Sequence, residues 1–151
     1  MESGKSFDAA LQIAQDLGIA ETDPLADLDG WDAAVKVHAL ATVLMDAQLK
    51  IEDIAREGIR GISQDRARAA HAAGKRIRLV ARAERRDARV IASVGPEEIA
   101  PGEPLASGSP SSSVIHFELD TLHDLIIASG RQGPDTTAYG LLADFLTAIR
   151  T

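Results

Sequence analysis

Residues 21–36 read Glu21-Thr22-Asp23-Pro24-Leu25-Ala26-Asp27-Leu28-Asp29-Gly30-Trp31-Asp32-Ala33-Ala34-Val35-Lys36. Asp29 is a favoured helix N-cap, Asp32 stands three residues later where a capping carboxylate sits, and Gly30 lets the chain turn sharply between them. The spacing predicts an acidic loop that runs into a helix at this point. Asp32 and Lys36 are one turn apart and share a face, while Glu21, Asp23 and Asp27 lie in the loop that feeds the same helix end. Four carboxylates and one amine can gather at one spot. Carboxylates hold an ammonium group and a lysine exchanges a proton with a hydroxyl or carbonyl oxygen, which is the chemistry a small zwitterion calls for. The same residues also read as an ordinary capped helix with an i,i+4 salt bridge and a solvated acidic loop.

On the N-terminal side, Ser6 is expected to cap a helix through Leu17. Phe7, Ala10, Leu11, Ala14 and Leu17 form one stripe of it, and Gly18 is its stop. On the C-terminal side the second helix is expected from Gly30 to Met45, with Val35, Leu40, Ala41 and Leu44 turned inward. Trp31 is read as core, because a large aromatic contributes burial first. His38 has no second ligand at metal spacing on its own face and reads as a packed or surface histidine.

Leu49 to Ile54 is expected to make a short helical turn. Gly58-Ile59-Arg60-Gly61-Ile62 is read as a short strand, and Ser63 as the cap of a third helix ending at Gly74. The string KRIRLVARAE then alternates, with Ile77, Leu79, Ala81 and Ala83 on one face and Arg76, Arg78, Val80 and Arg82 on the other. A turn at Arg85-Arg86-Asp87 leads to Val90, Ala92 and Val94 on a second strand, so the two form a hairpin. Residues 95–112 are rich in Pro, Gly and Ser and read as a loop. Val114 to Leu119 and Leu125 to Ala128 are two more strands, joined by residues 120–123, with His116 and His123 as strand and turn residues. Ser129 to Ala138 is a glycine-bearing loop that opens a last helix through Ile149, a place where free backbone N–H groups can meet an anion or nucleotide. This order of elements predicts an α+β domain: a mixed, mainly antiparallel sheet with helices packed on one face.

A chain of 151 residues is long enough for one domain with a real core. Aromatics make up only 3% of it, so that core relies on Ala, Leu, Ile and Val. A net charge of −7 argues against nucleic acid. Residues 75–89 hold seven basic side chains but no stacking aromatic, so arginines pairing with carboxylates on the same sheet or across a subunit boundary are favoured. Zero cysteines exclude disulfides and thiolate metal sites and fit a reducing cytoplasm. No apolar run approaches membrane-spanning length and no signal peptide precedes Ser6, so a soluble cytoplasmic chain with no membrane partner is expected. No G-x-G-x-x-G follows a strand near the start, so no Rossmann unit is visible.

Glu21-Thr-Asp-Pro, followed by Asp27, Gly30, Asp32 and Lys36 as D-x-x-G-x-D-x-x-x-K, resembles the signature of homoserine dehydrogenase. The resemblance extends to Met1 through Leu11, to Gly58-Ile59, to Pro104-Leu105-Ala106 and to Gly130 through Ala138. It implies NAD(P)-dependent interconversion of L-homoserine and L-aspartate 4-semialdehyde, in the aspartate pathway of threonine and methionine biosynthesis. Lys36 would then exchange the hydroxyl proton, and Asp32 would hydrogen-bond the substrate and orient Lys36. Glu21 would hold the substrate ammonium, with Asp27 in support. Residues 1–151 would be a single substrate-binding and dimerisation domain of a homodimer, inactive without a nucleotide-binding half that this chain lacks.

Residues 129–138 resemble the family's G-x-G-A-G followed by Thr-Ala, which implicates Gly130, Gly133 and Thr137 in cofactor contact, although Gln132 interrupts the glycines. Ile19 stands where an aromatic is common, and Ser113 where Asn is. No metal is implied. The choice between NAD and NADP is set in the nucleotide-binding half. Two other readings stay open: a stand-alone, non-catalytic homolog that binds an amino acid or acts as a dimerisation module, and a dehydrogenase acting on a related substrate.

Overall fold

The computed structural model describes residues 4–18, 20–107, 112–130 and 134–150. Two compact units divide the chain, Met1–Pro101 and Gly102–Thr151. Together they give a mixed α+β protein, as the alternation of periods predicts.

The first unit begins with α1 (Phe7–Asp16), where the Ser6 hydroxyl accepts the Ala9 N–H at 3.3 Å. The one-turn α2 (Leu25–Leu28) and the long α3 (Trp31–Met45) follow. Next come β1 (Ala55–Arg56), α4 (Gln64–Ala72), β2 (Arg76–Arg86) and β3 (Arg89–Ile99). The sheet order is β1-β3-β2, with β3 parallel to β1 and antiparallel to β2. Ala34, Val37 and Ala41 recur at three- and four-residue spacing, so α3 buries one stripe. Ala34 and Val37 pack with Ile54, just before β1, and Val94 of β3, and Leu79 and Ala83 of β2 border them. The small alanines let the helix approach the sheet closely.

Several expectations are corrected here. Val35, Leu40 and Leu44 are 53%, 39% and 58% exposed, because α3 meets the sheet along its alanine stripe and leaves the bulkier apolar face outward. The strand near Gly58 lies earlier, at Ala55–Arg56, and the chain turns from Gly58 onward. The hairpin turn falls at Asp87, whose φ of 54° makes the reversal, so Arg85 and Arg86 belong to β2. β3 also runs on through Gly95 and Pro96 to Ile99, where a loop was expected. The Val94 carbonyl accepts the Glu57 N–H at 2.8 Å, so β3 presents that edge to β1. Pro96, two residues on, turns its N to the same edge beyond the end of β1, and its missing N–H costs no ladder bond.

In the second unit, β4 (Val114–Leu119) and β5 (His123–Ala128) pair antiparallel from Val114↔Ala128 to Leu119↔His123. They form their own two-stranded sheet rather than extending the first. His116 meets Asp124 across the hairpin at 2.7 Å, and His123 makes the turn with a φ of 57°. The last helix is α5 (Pro134–Ala148).

Candidate functional site

The acidic stretch is fixed piece by piece by local chemistry. Gln15, near the end of α1, donates from Nε2 to the Glu21 and Thr22 carbonyls at 3.0 and 3.3 Å. Asp23 accepts the Leu25 N–H at 3.3 Å, starting α2 as an Asx-type turn. Its carboxylate thereby acts in the backbone turn. Leu28 is buried, and Gly30 takes a φ of 77° and donates its N–H to the Asp27 carbonyl at 3.1 Å. A Cβ at Gly30 would stand 3.2 Å from Val94 Cγ1, so left-handed backbone and close packing both ask for glycine.

The N-cap of α3 is Gly30 rather than Asp29, and no side chain caps the helix. Asp29 is engaged elsewhere. Arg60 donates to its carboxylate from Nε at 2.7 Å and also from Nη2, a bidentate pair. These hydrogen bonds hold the Asp29 carboxyl below the usual carboxylate range. Arg56 donates to the Asp29 carbonyl, and its guanidinium lies 3.8 Å from the centroid of the Trp31 ring. Trp31 is 41% exposed, so the expectation that it fills the core is corrected: it lies under an arginine at the surface.

Asp32 and Lys36 stand on the solvent side of α3, off its buried stripe, with Asp32 Oδ2 2.6 Å from Lys36 Nζ. Their side chains are 46% and 70% exposed. An exposed i,i+4 pair contributes only about 0.3–0.5 kcal/mol, so its geometry leaves the lysine available for chemistry. Glu21 and Asp27 are exposed on the segment leading to this helix end. Among the described residues no side-chain bond joins either of them to Asp32 or Lys36. Asp27 lines an open crevice of about 660 Å³ with Phe7, Leu11, Leu28 and Leu79. The structure therefore pairs two of the four named site residues directly. It also adds Arg56, Gly58 and Arg60, which sequence reading missed; arginines among many surface charges carry no signal of a partner some thirty residues away.

Of the residues implicated in cofactor contact, Gly133 lies outside the described residues. Gly130 precedes α5, and a side chain built there meets open space, so no close backbone approach is formed at it. Thr137 is exposed in the first turn of α5. Among the described residues no group of three His, Asp or Glu is placed to hold a metal, and no helix is long and apolar enough to cross a membrane.

A NAD(+)-dependent homoserine dehydrogenase from Pseudomonas canavaninivorans is 36% identical over 147 residues, which cover 97% of this chain and 42% of that protein. A homoserine dehydrogenase from Methanocaldococcus jannaschii is 32% identical over 145 residues, covering 96% and 42%. Among solved structures, S. aureus homoserine dehydrogenase matches with a TM-score of 0.85 at 29% identity, over 96% of this chain and 37% of that one. The enzyme from Thiobacillus denitrificans matches with a TM-score of 0.84 at 29% identity, over 94% and 33%. The chain spans less than half the length of these relatives. The homoserine dehydrogenase family model matches residues 1–146, nearly the whole chain, and so this protein belongs to the homoserine dehydrogenase family.

Proposed function

We propose that this chain is the substrate-binding and dimerisation part of a homoserine dehydrogenase, acting on L-homoserine and L-aspartate 4-semialdehyde. The observation that carries this reading is the exposed Asp32–Lys36 contact of 2.6 Å at the start of α3, beside the segment that bears Glu21 and Asp27. Oxidising an alcohol to an aldehyde removes a proton from oxygen and a hydride from carbon. A nicotinamide dinucleotide, NAD or NADP, supplies the hydride chemistry, and it is held mainly by residues beyond positions 1–151. This chain handles the proton. Lys36 Nζ takes it from the hydroxyl or returns it to the carbonyl oxygen, while Asp32 keeps the lysine in place and bonds the substrate. Glu21 holds the substrate ammonium, with Asp27 in support. Gly130, Gly133 and Thr137 border the cofactor.

Dimerisation draws support from the apolar residues that β5 leaves exposed, Leu125, Ile126 and Ile127 among them. The reading places the protein in the cytoplasmic aspartate pathway toward threonine and methionine. Isothermal titration with L-homoserine tests the substrate role, comparing the chain with its Asp32→Ala/Lys36→Ala variant. Binding lost in the variant supports the assignment, and binding unchanged removes the pair from it. Sedimentation velocity on the same samples tests the dimer, and a monomer at all concentrations would remove that part.

A further inference from the structure

The first turn of α3 carries Asp32, yet Gly30 gives it no side-chain cap, and its buried stripe begins only at Ala34. A helix end without a cap leaves backbone N–H groups without partners and frays. Fraying here would carry Asp32 away from Lys36, which sits a turn deeper. Something outside the helix must hold this end.

The end of β1 and the segment after it do so at four points. The Ile59 N–H donates to the Leu28 carbonyl at 2.8 Å. Gly58 lies so close that a Cβ on it would come within 2.8 Å of Asp29 Cα. Arg60 grips the Asp29 carboxylate with both arms of its guanidinium, and Arg56 bonds the Asp29 carbonyl while covering Trp31. Two backbone contacts and two arginines thus bear on the residues immediately before Asp32. Bidentate geometry within a network is the case in which an exposed ion pair fixes position.

We propose that Arg60, with Arg56 of β1, is a positioning residue for the reaction: Arg60 holds Asp29 and Arg56 holds Trp31 against β1 and the segment after it, which keeps the first turn of α3 wound and Asp32 in contact with Lys36. The inference rests on the catalytic reading above, but its test does not. Arg60 is half exposed, so Arg60→Gln leaves the core untouched. In the full chain, amide hydrogen exchange at Ala34, Val35 and Lys36 should quicken about tenfold in Arg60→Gln, with Val37 and Ala41 unchanged. The Lys36 Nζ resonance should move toward its position in Asp32→Asn, and Arg60→Lys should restore part of both effects.

Ile54→Val, a mild core truncation, serves as the control and should quicken exchange evenly along α3. Unchanged exchange and an unchanged Lys36 resonance in Arg60→Gln would overturn the proposal. So would an even increase like that of Ile54→Val, because it would mean a merely structural role. If the exchange pattern holds while Asp32→Ala/Lys36→Ala still binds homoserine normally, the pair leaves the substrate reading and the brace stands.

Discussion

Lys36 combines an exposed ammonium with a carboxylate neighbour, and on this geometry its proposed proton transfer can be told apart by experiment from the proposed ammonium contact of Glu21. In the enzyme that includes the nucleotide-binding half, Lys36→Ala should lower kcat by on the order of 10² to 10⁴, the range for loss of a general acid or base. Circular dichroism should stay unchanged, since the side chain contributes no burial. Near-normal turnover would remove Lys36 from the proton transfer. Glu21→Gln should instead raise KM for homoserine with little change in kcat, because an ammonium contact is made in ground and transition state alike; an unchanged KM would sink that role. The Asp32–Lys36 pair was legible in the sequence because helix geometry alone fixes which residues meet at i and i+4. The role of Asp29 was not. Its type and place suited an N-cap, but Arg60 recruits the carboxylate from across the fold, and no local rule encodes a partner that only tertiary structure delivers.

Elements were legible wherever a local signal is strong: the Ser6 and Ser63 caps and the glycine stop at Gly18 stand where the sequence places them, and the alternating stretch does form a hairpin, although its turn and the end of its second strand lie elsewhere. They were misread where the neighbour decides. Periodicity shows that α3 has an inner face, but the choice of alanines over Val35, Leu40 and Leu44 depends on how closely the sheet approaches. Likewise Gly58 and Ile59 look like strand residues, yet they turn because the backbone of Leu28 and Asp29 stands against them. Gly58→Ala tests this contact. The added methyl meets backbone, which cannot swing aside, so it should destabilise the first unit by about 1–3 kcal/mol, the usual range for overpacking. Equilibrium urea unfolding measures it. A change within experimental error would mean that the segment shifts freely and does not brace the start of α3.

At the scale of the whole molecule, the α+β class was legible but the division into two sheets was not, because alternation identifies a strand without naming its partner. A similar ambiguity surrounds the basic hairpin, whose charges settle only in the fold: Arg82 meets Glu97 at 2.7 Å on one face, and Arg66 and Lys75 meet Glu98 on the other. These pairs make stability depend on pH in a direction that can be worked out. Hydrogen bonds from Arg60, Arg86 and Arg82 hold the carboxyls of Asp29, Glu84 and Glu97 below their ordinary values of 3.8 for Asp and 4.5 for Glu. The folded state then binds protons less readily than the unfolded chain, so stability rises with pH across this range. The contribution is fully present above the ordinary values and is lost as pH falls through the lowered ones. Trp31, the single tryptophan, lies against Arg56 and reports unfolding of this unit. The urea midpoint read from its fluorescence should fall between about pH 6 and about pH 3. In Glu97→Gln it should start lower at the upper pH and fall less, and added salt should narrow the gap because the pairs are exposed. An equal fall in both proteins would show that the Arg82–Glu97 pair contributes nothing to holding the sheet.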